Sequence, residues 1–336
     1  MTVSLLILLV ISSLLVFTKE TSYAAFDQKH TLPLRGILAI LVVLGHLDTV
    51  VAGQTKILTL LHMATPAVAV FFFMSGYGLM ISYSKKGDNY LNRFIIKSSI
   101  KLLIPLFLTT LLYQTILLIG GNFSLSRIVD DFITGVEMPL IHSWYVYALF
   151  LFYLFFFVAF KYVKINNSLK GKLLILVLLM LSYYVLVRYC LGWDFFWWMT
   201  CMAFPVGFIY CYLEDKIKHF VYTNFLLVPI IIIVLLVIKF LSNPQTPICG
   251  ELPYLLLGPI VALILCKSPL PIDNKSLNFL GTISFEIYLV HGIFEKLFIG
   301  YIDSPYFYIL VVIFATISMA WLLHVVFKNI NNYLLK

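Results

Sequence analysis

The chain is poor in charge, and poorest in acidic charge. Of its 336 residues 11% are charged, and Asp and Glu together number 15. A soluble domain carries about 25% charged residues. Its length would allow two domains, but no polar stretch is long enough to fold a soluble one. Short alternating strands punctuated by turns are absent too, which argues against a β-barrel. The five cysteines (Cys190, Cys201, Cys211, Cys249, Cys266) lie scattered in or beside apolar segments. They form no CxxC and no Cys/His group with metal spacing, so no metal is expected. There is no Walker loop, GxGxxG, HExxH or GxSxG, and no clear internal repeat.

What fills the chain is apolar sequence, 62% of it hydrophobic. Runs near the ~20-residue spanning length fall at 2–18, 34–51, 66–84, 98–119, 144–160, 173–189, 195–213, 221–241, 252–266, 279–298 and 306–327. The expected fold is all-α: a polytopic integral membrane protein of about 11 transmembrane helices in one domain, 1–336. Residues 1–20 would form an extra amino-terminal helix, and 32–327 a ten-helix core. The run 252–266 is short and holds Pro253 and Pro259; 195–213 contains Pro205. Ser22-Tyr23-Ala24 resembles a signal-peptidase site, but no basic stretch precedes the apolar run and Lys19 follows it. A retained helix is therefore preferred over a cleaved signal peptide.

Basic residues orient these helices. With the loop 85–101 in the cytosol, 18 of 23 Lys and Arg fall inside. Lys56, Arg127, Arg188, Lys239 and Lys296 fall on or near the other side. This places the amino terminus outside and the carboxyl terminus in the cytosol of a cell membrane. The net charge of +8 is this bias rather than a nucleic-acid footprint.

Ionisable groups inside apolar spans are costly and usually functional. Arg35 and His46 share the segment LRGILAILVVLGHL. Eleven residues of helix set them ~16 Å apart along the axis and within ~20° of one face. Ala39 and Val42 occupy the stripe between them, and Gly45 lets another backbone or a ligand approach His46. A bland reading makes Arg35 a cytosolic anchor, which any Lys or Arg could be. The next span holds Ser75-Gly76-Tyr77-Gly78, which permits close helix packing or opens space for a ligand. The inner loop brings Arg93, Lys97 and Lys101, suited to anionic lipid or to the phosphates of a cytosolic cofactor. The longest external loop, 120–143, carries Asp130, Asp131, Glu137 and His142 and leads into Trp144, Tyr145 and Tyr147. Those rings suit an interfacial belt or a platform for sugar faces. Late in the chain, Glu286, His291 and Glu295 fall in one span. His291 and Glu295, at i and i+4, can meet on one face, whereas Glu286 lies about 140° from His291. This span is expected to line a cavity; the alternative has His291 reaching the outer interface.

Four segments together resemble the acyltransferase-3 family of integral membrane O-acyltransferases. They are Leu34-Arg35-Gly36-Ile37 with Ala39, Val42-Val43 and His46; Phe72-Phe73-Met74-Ser75-Gly76-Tyr77; His142-Ser143-Trp144-Tyr145; and Gly281 with Ile283-Ser284-Phe285 and Ile287-Tyr288-Leu289-Val290-His291. They stand in family order over residues 32–295. The chain departs from the pattern in having Leu32-Pro33 where many members have Asp-Gly. It has Ala148-Leu149-Phe150 where many have acids, and only Lys97 and Lys101 where an Arg-rich stretch usually precedes Pro105.

The resemblance implies transfer of an acyl group, most simply acetyl, from cytosolic acyl-CoA (acetyl-CoA) to a hydroxyl of a surface glycan or lipid-linked sugar. Arg35 and the basic inner loop would hold the donor's phosphates. His46 would serve as general base or as an acyl-carrying nucleophile. Arg93, Lys97, Lys101, Ser75, Tyr77, Trp144, Glu286 and His291 are candidate donor- or substrate-binding residues. Membrane lipid is the surrounding partner, and no nucleic acid is expected. A transporter or flippase for a polysaccharide or its lipid-linked precursor is the competing reading; the absence of an internal repeat and of paired broken helices counts against it.

Overall fold

A computed structural model describes residues 28–51, 63–162, 168–223, 251–267 and 274–335. Among them there are helices and turns and no strand. In chain order the helices are α1 Gln28–Val50, α2 Ala64–Lys86, α3 Phe94–Ile119, α4 Leu125–Thr134, α5 Trp144–Lys161, α6 Leu169–Val185, α7 Phe195–Trp198, α8 Ala203–Thr223, α9 Leu252–Lys267, α10 Lys275–Thr282, α11 Ser284–Phe298 and α12 Pro305–Leu334. Among the described residues seven spans are long and apolar enough to cross a membrane, or eight if α10 and α11, interrupted at Ile283, count as one. This is a multi-pass membrane protein.

The eleven-helix count is not reached among the described residues. The expected helix 2–18, the signal-peptide question at residues 1–24, most of 221–241, and Cys249 lie outside them. The run 252–266 forms α9, an apolar helix shorter than the other spans. The run 195–213 is interrupted by turns at 199–202. Pro205 falls just after the break, in the first turn of α8, where its missing N–H would have had no intrahelical partner.

The helices gather into two compact units, α1, α2, α8, α9 and α10 in the first and α3–α7, α11 and α12 in the second. In the first, α2 is the central element, buried along most of its length. It meets α8 backbone to backbone. A Cβ on Gly76 would collide with the Phe204 carbonyl, and one on Gly207 with the Phe73 carbonyl. Small residues at such crossings let helices approach closely where lipid supplies no hydrophobic drive.

The second unit packs with rings instead. Phe94 of α3 meets Phe156 edge-on at 5.2 Å and Tyr153 at 5.8 Å. Phe156 meets Phe160 at 4.6 Å. Each such pair contributes about 0.5–1.5 kcal/mol beyond its buried area. The outer faces of α3 and α12 carry exposed Phe107, Leu111, Leu310 and Phe314. In water that would be an aggregation surface; in a bilayer it is the lipid-facing side. The segment expected as a loop, 120–143, contains α4. Ser124 caps it, accepting from the Arg127 N–H at 3.4 Å, and Gly135 ends it at φ 70°.

Candidate active site

In the first unit, α1 presents Arg35 and His46. Between them Ala39 and Val42 are buried, so this stripe faces protein rather than lipid. Arg35 itself is exposed and His46 half-buried. Gly45 fixes the turn beside His46: a Cβ there would stand 2.6 Å from the Ala64 Cβ and 2.9 Å from the Ala64 nitrogen.

Ser75 is half-buried on α2. Tyr77 is buried, and its hydroxyl donates to Glu214 Oε2 at 2.7 Å. The other Glu214 oxygen pairs with Lys218 Nζ at 2.7 Å. Tyr77 therefore belongs to a Tyr–Glu–Lys chain on α2 and α8. The signal for its partners was the Glu214/Lys218 spacing of i, i+4, but nothing local linked it to Tyr77. Gly76 packs as the motif suggested, whereas a Cβ on Gly78 would meet nothing within 4 Å among the described residues.

In the second unit the basic residues Arg93, Lys97 and Lys101 are all exposed. Four-residue steps put them on one stripe of the first turns of α3. Arg93 precedes the helix with φ 58°. The N-terminus of α3 adds its own partial positive charge, so the surface attracts anions, phosphate included.

Trp144 opens α5 and packs among Tyr145, Phe196 and Trp197, with ring centroids 5.4 to 6.2 Å away. Trp197 is buried, and its indole N–H donates to the Gly135 carbonyl at 2.8 Å. Trp144 is thus part of an inward aromatic cluster.

The ionisable groups of α11 are buried: Glu286 6%, His291 1% and Glu295 5% exposed. His291 does not reach out to an interface; its Nδ1 donates to the Tyr288 carbonyl at 2.7 Å. A carbonyl can only accept, so the neutral ring keeps its lone pair on Nε2. Glu286 pairs with His324 Nδ1 of α12 at 2.9 Å.

Glu295 bonds to His142, which the sequence marked in the 120–143 loop and at the head of a motif but not as a site candidate. The Nε2 of His142 donates to Glu295 Oε2 at 3.1 Å, which leaves the lone pair of a neutral His142 on Nδ1. The His142 and His291 rings stack at 5.2 Å and 12°. His142 has φ 60°, an uncommon conformation for a residue with a side chain. Tyr288 holds that turn by donating from its hydroxyl to the His142 carbonyl. Gly292 makes room for it, since a Cβ there would meet Ile141 at 2.8 Å and His142 at 3.0 Å. Tyr308 ties α12 to the same turn of α11, donating to the Glu295 carbonyl at 2.7 Å. A carboxylate that fixes one imidazole nitrogen and leaves the other basic is the arrangement of general-base pairs.

Residues 34–325 match the acyltransferase domain family Acyl_transf_3. The chain belongs to the acyltransferase-3 family. No significant match is found among curated proteins or among solved structures. Membership makes this multi-pass protein a membrane acyltransferase. Such an enzyme needs a base or nucleophile, donors to an anionic cofactor or substrate, and a place for the acceptor. In the first unit His46 is such an imidazole and Arg35 an exposed cation; the second, by itself, carries His142, His291 and the exposed cations along α3.

Proposed function

We propose that this acyltransferase moves an acetyl group from acyl-CoA to a hydroxyl of a glycan or lipid-linked sugar. The observation that carries the reading is the family match over 34–325, which spans all four motif segments up to His291. An exposed Arg35 on the same helix as a half-buried His46 fits a donor with anionic phosphates and a thioester.

In this reading Arg35 makes charge-assisted contacts to donor phosphate. The Arg93, Lys97 and Lys101 stripe draws the anionic donor to the membrane surface. His46 takes the acceptor hydroxyl's proton as its oxygen attacks the thioester carbonyl. The C–S bond breaks, and the CoA thiolate leaves and is protonated. In the covalent variant the neutral His46 nitrogen attacks first and the CoA thiolate leaves, taking up the proton the ring loses; the acceptor oxygen then takes the acyl group from the ring, and its hydroxyl proton returns to the imidazole. The enzyme sits in the cell membrane with its amino terminus outside and its carboxyl terminus in the cytosol, as the basic residues favour.

The test is transfer of labelled acetyl from acetyl-CoA in membranes with and without this chain. Label appearing in a glycan or lipid extract only with the chain supports the reading. No chain-dependent label from acetyl-CoA, with correctly inserted protein, overturns it.

A further inference from the structure

Within the second unit lies a cavity of about 370 Å³ that the acyl-transfer groups named so far do not use. Its lining includes Tyr113 and Gln114 of α3, Arg127 and Asp131 of α4, Glu137, and Lys296 of α11. Its size is near the lower end for small-molecule sites. Its charge is balanced, two cations against two carboxylates. Arg127 is loosely shared, 3.4 Å from Asp131 and 3.7 Å from Glu137. An anionic ligand would meet both carboxylates and a cationic one both cations. Hydroxyls suit both sets, because each can donate to a carboxylate and accept from Arg or Lys. Gln114 adds an acceptor: its Nε2 donates to the Pro139 carbonyl at 2.5 Å, while its Oε1 is buried with no hydrogen-bond partner among the described residues. Tyr113 adds a ring.

The cavity also adjoins apolar surface. The outer face of α4 carries exposed Leu125, Val129, Phe132 and Ile133, and α3 ends in exposed Leu118 and Ile119. A helix with a charged side and such an apolar side lies in the membrane interface. The polar side of α4 faces the cavity. Lys296 follows Glu295, and Glu137–Pro139 stand three to five residues before His142, so two chain segments of the cavity wall also carry the His142–Glu295 pair.

We infer that this cavity binds the acceptor as the neutral polyhydroxylated head of a lipid-anchored molecule, whose tail stays in the bilayer beside α4. The inference rests on the reading that a sugar hydroxyl receives the acyl group, but its test does not need turnover. Full-length protein in lipid nanodiscs, carrying Ile128→Cys in the cavity wall, is labelled with a maleimide in the presence of octyl glucoside, glucose or octyl sulfate. Octyl glucoside should slow labelling of Cys at 128 about tenfold, at concentrations where glucose and octyl sulfate do not. Adding Gln114→Leu with Asp131→Asn should remove that protection without loss of the monodisperse folded protein. Equal protection by octyl sulfate, undiminished protection in the Gln114→Leu, Asp131→Asn variant, or no protection at all overturns the inference. Any of these leaves acetyl transfer from acetyl-CoA to be judged on its own assay.

Discussion

The two units hold their polar groups in different ways. The first, around α2, is built on close backbone crossings at glycine and presents Arg35 and His46 from a single helix. The second, around α11, is packed by aromatic rings and pairs its buried ionisable groups across elements: His142 with Glu295 and Glu286 with His324. Close backbone packing fixes where a helix lies but leaves an exposed end such as Arg35 free to meet a ligand. Cross-element pairing fixes the side chains themselves, down to which imidazole nitrogen carries the proton. The first unit does hold one cross-element chain, Tyr77 to Glu214 to Lys218, but Arg35 and the α2–α8 crossing rest on backbone placement.

Four perturbations test that contrast, from the largest effect to the smallest. His46→Ala should lower purified turnover by about 10²–10⁴-fold with insertion and expression near wild type; near-normal turnover removes its assigned role. Glu295→Gln keeps the volume but removes the charge that orients His142. It should cost about 10²-fold in kcat with little change in thermal stability. If stability falls and kcat does not, the pair is structural. Arg35→Lys keeps the charge but loses the planar fork. It should weaken acyl-CoA binding about tenfold at unchanged topology, measured by titration; wild-type binding would reduce Arg35 to an anchor. The smallest effect contrasts two neighbours. Gly76→Ala should destabilise by about 1–3 kcal/mol through its collision with the Phe204 carbonyl. Gly78→Ala, with no neighbour within 4 Å among the described residues, should change Tm little.

Local pattern carried the sequence reading far and then stopped for a physical reason. Most expected spans that fall wholly on described residues coincide with helix, because a run of apolar residues must satisfy its backbone internally in lipid; 195–213 is broken by turns at 199–202 and 279–298 at Ile283. The inward face of α1, the packing role of Gly76 and the burial of Glu286, His291 and Glu295 followed from helical spacing and the cost of charge in lipid. The pairings did not. Tyr77 and Glu214 are 137 residues apart, His142 and Glu295 153, and Glu286 and His324 38. No periodicity encodes such contacts. His291 and Glu295 have the right i, i+4 spacing, yet the carboxylate hydrogen-bonds His142, which the Gly292 gap admits beside α11. Helix α4 was missed because ten amphipathic residues between spans resemble a polar loop.

The central claim is acyl transfer from acyl-CoA, and one measurement addresses it directly. Membranes carrying the chain, matched membranes carrying His46→Ala, and membranes lacking both are given acetyl-CoA labelled in its acetyl group, and label in the glycan and lipid fractions is followed with time. The account predicts label accumulating with the wild-type chain and falling to the level of empty membranes with His46→Ala at equal protein. Label that fails to exceed that of empty membranes with wild type, or that accumulates equally with His46→Ala, would contradict it.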